Sequence, residues 1–123
     1  MSATLELGLD TFGDMTLDQS GNRLSYAQVL RNIVDEAVLA DETGVDFIGL
    51  GEHHRDDFAI SAPDVVLATI AGRTKRILLG SAVTVLSSDD PIRVFQRLFS
   101  GLIRSMTGRA FFSIAISDSR KRI

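Results

Sequence analysis

The sequence predicts an α/β protein built on a parallel sheet. Three observations predict it: short apolar runs of strand length, helix-spaced apolar positions between them, and a regular alternation of the two. Four strand patterns recur at a spacing of roughly 35 residues, the rhythm of βαβ units whose sheet is covered by helices.

Thr4 to Asp10 (TLELGLD) alternates and is rich in Leu, which reads as a strand ending where Thr11, Phe12, Gly13 and Asp14 begin a loop. Asp18, Ser20, Gly21 and Asn22 are turn formers within that loop. Ser25 with Gln28 three residues on has the form of a capping box. Tyr26, Val29, Leu30, Ile33, Val34, Ala37 and Val38 then recur at helical spacing until Gly44, which suits the residue just past a helix end. Val45 to Gly51 is too short for a helix and too apolar for a surface strand, so it reads as a buried strand before the polar run Glu52 to Asp57.

Pro63 suits the first turn of a second helix, carried by Val65, Val66, Leu67, Ala68 and Ile70 as far as Gly72. Ile77 to Leu86 is a third buried strand. Asp90-Pro91 opens a third helix with Ile92, Val94, Phe95, Leu98, Phe99, Leu102 and Ile103 on one side, and Ala110 to Ile116 is a fourth strand. This rhythm fits both a doubly wound open sheet and a (β/α)₈ barrel. The absence of G-x-G-x-x-G after the first strand removes support from the dinucleotide-binding form of the first.

Composition narrows the function. Of 123 residues 45% are hydrophobic, and the net charge of -3 leaves no basic field for a phosphate backbone, so no nucleic-acid partner is expected. The longest apolar runs fall short of the ~18 residues of a membrane span, and no basic segment followed by an apolar one opens the chain. The reading is therefore cytoplasmic, with no membrane partner. The chain has no cysteine, so chemistry must come from His, carboxylates, hydroxyls or a bound cofactor.

In either architecture ligands bind beyond the C-terminal strand ends. Gly51-Glu52-His53-His54-Arg55 stands there and holds both histidines of the chain. Neighbours on an extended backbone point to opposite faces. His53 shares the parity of Gly49 and Gly51, which leave room for a flat ligand, whereas His54 shares that of Leu50 and Glu52. An imidazole exchanges protons near neutrality, and Glu52 is placed to orient one ring, so Glu52, His53 and His54 are candidates for acid/base work. A hydrogen-bonded loop entry remains the alternative. No metal centre is expected, because adjacent histidines seldom share an ion and no third ligand is spaced to join them. After the third strand, Val83 to Leu86 and the hydroxyls of Ser87 and Ser88 form an apolar wall with a polar edge, which is also what any helix start requires.

Several pieces together resemble the bacterial-luciferase-like flavin-dependent monooxygenases, in their N-terminal portion only. They are Gly44-Val45-Asp46-Phe47, Gly51-Glu52-His53-His54, Ser61-Ala62-Pro63, Ala71 to Ile77, Leu79 to Leu86 and Asp90-Pro91-Ile92-Arg93. The resemblance implies a partial TIM (β/α)₈ barrel of about four parallel βα units. It also implies FMN used as reduced flavin supplied by a flavin reductase, with O₂ oxidising a small organic substrate, and commonly a homodimer. His53 matches the family's active-site histidine and His54 its companion. Ala82, Val83, Thr84, Val85 and Leu86 match the strand end that backs the flavin ring, and Ser87 continues it. A deazaflavin-dependent oxidoreductase is the alternative within the same superfamily.

Residues 1–123 thus read as the N-terminal part of a barrel domain, atypical from about residue 98 onward. Arg97 to Arg109 keeps Gly108-Arg109 but lacks the family's Asp and carries one extra residue. A truncated or frameshifted gene, or a fragment of a longer chain, would account for this departure. Four strands leave open edges and an apolar inner face, so self-association is expected, with FMN bound weakly or not at all by this chain alone. A non-catalytic remnant, structural or self-associating, is the competing reading.

Overall fold

The computed structural model describes residues 5–85, 89–98 and 110–112. Its elements are β1 (Gly8–Thr11), α1 (Tyr26–Thr43), β2 (Phe47–Gly51), α2 (Pro63–Ala71), β3 (Leu78–Val83), α3 (Pro91–Leu98) and β4 (Ala110–Phe112). All four strands are parallel and lie in the order β1-β2-β3-β4. A doubly wound sheet reverses its order at a switch point, whereas consecutive neighbours are the staves of a barrel. The described residues form a partial TIM barrel of three βα units and a fourth strand.

The helix ends obey local chemistry. Ser25 caps α1, its Oγ accepting the Gln28 N–H at 3.2 Å, and Gly44 ends it at φ 91°, a left-handed position that glycine adopts without strain. Asp90 caps α3 by accepting the N–H groups of Ile92 at 2.8 Å and Arg93 at 3.4 Å, so Asp90-Pro91-Ile92-Arg93 is a helix start. The third helix is described only to Leu98, and its expected continuation through Ile103 lies outside the described residues, as do residues 113–116 of the fourth strand.

The strands begin later than the apolar runs, because side-chain carboxylates take the first ladder donors. Asp46 accepts the Leu7 N–H at 2.9 Å and β1 starts at Gly8, while Thr4 lies outside the described residues. Asp41 of α1 accepts the N–H groups of Lys75, Arg76 and Ile77 at 2.9, 2.8 and 2.6 Å, and β3 starts at Leu78 rather than Ile77. The same Asp41 explains Ala71-Gly72-Arg73-Thr74-Lys75-Arg76-Ile77. Thr74 Oγ1 donates to the Ile70 carbonyl at 2.9 Å, which closes α2, and the next three amides hang on α1.

One core holds these layers together. Val29, Ile33, Val34, Ala37 and Ala40 of α1 cluster with Leu67 and Ile70 of α2, Ile48 and Leu50 of β2, and Leu79 of β3. The described helices α1 and α2, with Val94 of α3, therefore pack on one face of the sheet. By strand alternation and register the other face carries Gly8 and Asp10, then Phe47, Gly49 and Gly51, then Leu78, Gly80 and Ala82. The inner face thus carries four glycines beside Phe47, Leu78, Ala82 and Asp10. The large apolar side chain of Leu78 is exposed on that face, and Leu5 (80%) and Leu7 (56%) beside β1 and Ile92 (68%) on α3 are exposed more fully. No helix among the described residues is long and apolar enough to cross a membrane.

Candidate active site

His53 leaves the C-terminal end of β2 on the side of Gly49 and Gly51. Its ring packs between two phenylalanines, with centroids 5.0 Å from Phe12 and 4.3 Å from Phe58. These aromatics come from different loops that are laced together: Ala59 N–H donates to the Gly13 carbonyl at 2.7 Å, Met15 N–H to the Asp57 carbonyl at 3.0 Å, and Asp14 bridges Phe58. The His53 N–H itself donates to the Ile60 carbonyl at 2.9 Å. Gly51 is what lets Phe12 lie flat on the sheet, since a Cβ there would stand 2.2 Å from the ring.

His54 turns the other way. Its Nε2 lies 2.5 Å from Glu52 Oε1, and the second Glu52 oxygen accepts the Val85 N–H at 2.8 Å. Glu52 is buried and His54 exposed. Glu52 therefore ties the end of β2 to the end of β3, an arrangement completed by its own N–H on the Val83 carbonyl at 3.0 Å. Ser81 Oγ and Thr84 Oγ1, both buried, share a hydrogen bond of 2.6 Å. These groups line a cleft of about 260 Å³ between the N-terminal ends of α2 and α3, together with Asp64 and Arg97. Arg97 pairs with Asp64 at 2.8 Å and with Asp89. The Arg97 hydrogen bond holds the Asp89 carboxyl below its ordinary range, with burial partly opposing it.

The predicted residues thus divide into two groups. His53 and Ala82 belong to the glycine-lined inner face, whereas Glu52, His54 and Thr84 belong to the cleft or its rim. Val85 has its N–H engaged by Glu52, and Val83 is half-buried. Leu86 and Ser87 lie outside the described residues. Sequence reasoning took Asp10 for a strand end, and it passed over Phe12 and Phe58. Asp10 stands on the inner face in register with Gly49, and burial pushes its carboxyl above the ordinary range, with the Thr11 N–H opposing. The signal was available, because Asp10 and Phe12 share the parity that singled out His53.

This arrangement has relatives. Residues 11–122 match the profile of the family described as luciferase-like monooxygenase. The chain is 31% identical over 86 residues to the alkanal monooxygenase alpha chain of Photorhabdus laumondii, covering 69% of this chain and 24% of that one. It is 34% identical over 84 residues to the N-acetyl-S-alkylcysteine monooxygenase of Bacillus subtilis, covering 66% and 25%. Among solved structures, apo-MsnO8 superposes with a TM-score of 0.81 at 26% identity, covering 97% of this chain and 35% of that one. The oxygenating constituent of 3,6-diketocamphane monooxygenase from Pseudomonas putida, solved with FMN, superposes at 0.74 with 25% identity, covering 94% and 30%. The chain therefore spans about a quarter to a third of the length of these relatives. With its sheet order, its helix-covered face and a family match across most of its length, the chain belongs to the luciferase-like monooxygenase family.

Proposed function

We propose that residues 1–123 form the N-terminal part of a flavin-dependent monooxygenase barrel that uses reduced FMN and O₂ to oxidise a small organic substrate. The observation that carries this reading is His53, held by Phe12 and Phe58 at the C-terminal rim of a face floored by Gly49, Gly51 and Gly80. Such a floor fits a flat ring system, since glycines leave the backbone open to close approach. Reduced FMN, when bound, supplies the electrons that activate O₂. His53 is the group that takes or returns a proton at an imidazole nitrogen, and its two aromatic neighbours exclude water from one side of it. Ala82 and Val83 back the ring. Glu52 and His54 act as a pair that holds the wall in place through the Val85 amide. A flavin reductase is the partner that supplies reduced flavin. A second copy of the chain is a further partner, a reading supported by exposed Leu5 and Leu7 beside an edge strand.

The test is an amide-shift titration of the isotope-labelled chain with FMN. Weak binding, with Kd on the order of 1 mM, should move the Gly49, Gly80 and Ala82 amides. Shifts confined to the cleft lined by Glu52 and Arg97, or none at all, overturn the reading. Where turnover with reduced FMN is measurable, His53→Ala should lower kcat by about 100-fold or more and leave flavin affinity unchanged.

A further inference from the structure

Asp10 differs from the other carboxylates whose ionisation is perturbed. Asp18 accepts the N–H groups of Ser20 and Asn22, Asp41 those of Lys75, Arg76 and Ile77, and Asp89 is bound by Arg97. Each of the three is held below its ordinary range. Asp10 moves the opposite way, and among the described residues its one donor is the Thr11 N–H beside it. Its side chain is exposed on the inner face, and a carboxyl perturbed in this direction with open acceptor oxygens on a ligand-facing surface is a candidate recognition group.

Its placement is specific. Asp10, Gly49 and Gly80 form one row across three strands on the inner face. The Asp10 Oδ1 lies 2.6 Å from the point a Gly49 Cβ would occupy, so glycine at 49 is what allows the carboxyl to fold over the sheet. Ala82 flanks the same point at 3.2 Å on the far side, and Phe47 at 3.1 Å. Just past the end of β1, two residues on from Asp10, is Phe12, which touches His53. The carboxyl therefore lies on the floor beside Phe47, Ala82 and glycine backbone, two residues before the phenylalanine that touches the imidazole, and it is open to solvent.

We propose that Asp10 is a ligand-recognition residue, its carboxyl the acceptor for an N–H or O–H donor on a flat ligand or co-bound substrate lying over the Gly49–Gly80 row. This deepens the flavin-pocket reading and rests on it. The donor is either the imide N–H of the flavin ring or a polar group on the substrate, and a pure hydrocarbon chain would leave the carboxyl unsatisfied.

The 123-residue chain tests this through four ligands and three proteins, with binding read from the Gly49 and Gly80 amide shifts. Lumiflavin is compared with 3-methyllumiflavin, which lacks the imide N–H. With lumiflavin present, an n-alkanal is compared with the ω-hydroxyalkanal of equal length. The native chain should prefer the donor-bearing member of one pair by about 10-fold or more. Asp10→Ala should abolish that preference, and Asp10→Asn should reduce it. Preference in the first pair assigns the donor to the flavin, and preference in the second assigns it to the substrate. Flavin bound equally well by all three proteins, with no preference in either pair, overturns this inference and leaves the flavin pocket standing. No inner-face shift with any ligand overturns both.

Discussion

The two rims of the sheet use their polar side chains differently. At the N-terminal rim the carboxylates are engaged with backbone: Asp41 receives three amides, Asp46 receives one, and the Leu78 N–H donates to the Asp46 carbonyl at 2.8 Å. Each contact joins one βα unit to the next. At the C-terminal rim side chains meet side chains: Glu52 with His54, Ser81 with Thr84, Arg97 with Asp64 and Asp89, and His53 with two phenylalanines. Backbone engagement fixes the fold, whereas side-chain clusters leave groups that can act on a ligand. This is the division of labour between stability and chemistry known for the two faces of such barrels.

The largest expected effect tests the N-terminal rim. Asp41→Ala strands three amides and should lower stability by about 2 kcal/mol in denaturant unfolding, without moving the His53 ring signals. A loss under a few tenths would mean that this rim does not fasten the units together. Next, Gly51→Ala should force the Phe12 ring off the sheet and cost about 1–2 kcal/mol. Its signature is a shift of the His53 ring protons, and unchanged shifts would show that Phe12 does not position the imidazole.

Arg97→Ala removes two exposed ion pairs at the C-terminal rim and should cost no more than about 0.5 kcal/mol, an effect that fades in high salt. A loss equal to that of Asp41→Ala would erase the contrast between the rims. The smallest effect has the opposite sign: Asp10→Asn should stabilise the chain at neutral pH, by under about 0.5 kcal/mol.

The pH dependence separates these two aspartates. For Asp41, burial alone would raise the carboxyl, but the donors Lys75, Ile77 and Arg76 together with the Arg76 charge hold it low. A carboxyl whose native value lies below its unfolded value of about 3.9 stabilises the fold above that pH and loses the contribution as pH falls through the native value. The difference between native chain and Asp41→Asn should therefore shrink in acid. Asp10, whose native value is raised, opposes folding once ionised, so the gain from Asp10→Asn should grow as pH rises from the unfolded value of about 3.9 and be complete above the native value. Matched acid-to-neutral unfolding series on the two variants would decide between these signs, and parallel curves would contradict both.

Much of the fold was legible along the chain. Alternating runs, the Ser25 cap, Gly44 and Asp90-Pro91 are local signals, and each sits where expected because a turn or helix end is decided within a few residues. The parity that set His53 apart from His54 was likewise local, since it follows from backbone alternation on one strand. What contiguous sequence did not decide is which distant group meets each of these.

Glu52 as reader of the Val85 amide, Asp41 as anchor of the segment before β3, and Phe12 with Phe58 around one imidazole all join residues about 30 or more apart, apart from the Phe58 contact. Strand lengths were decided the same way, by carboxylates that intercept ladder donors from another unit. The sequence by itself determined the repeating units and the sidedness of the histidines, because these follow from short-range periodicity. Only the tertiary structure decided the floor of the inner face and the partners of its charged groups, because register between strands sets which side chains share a row.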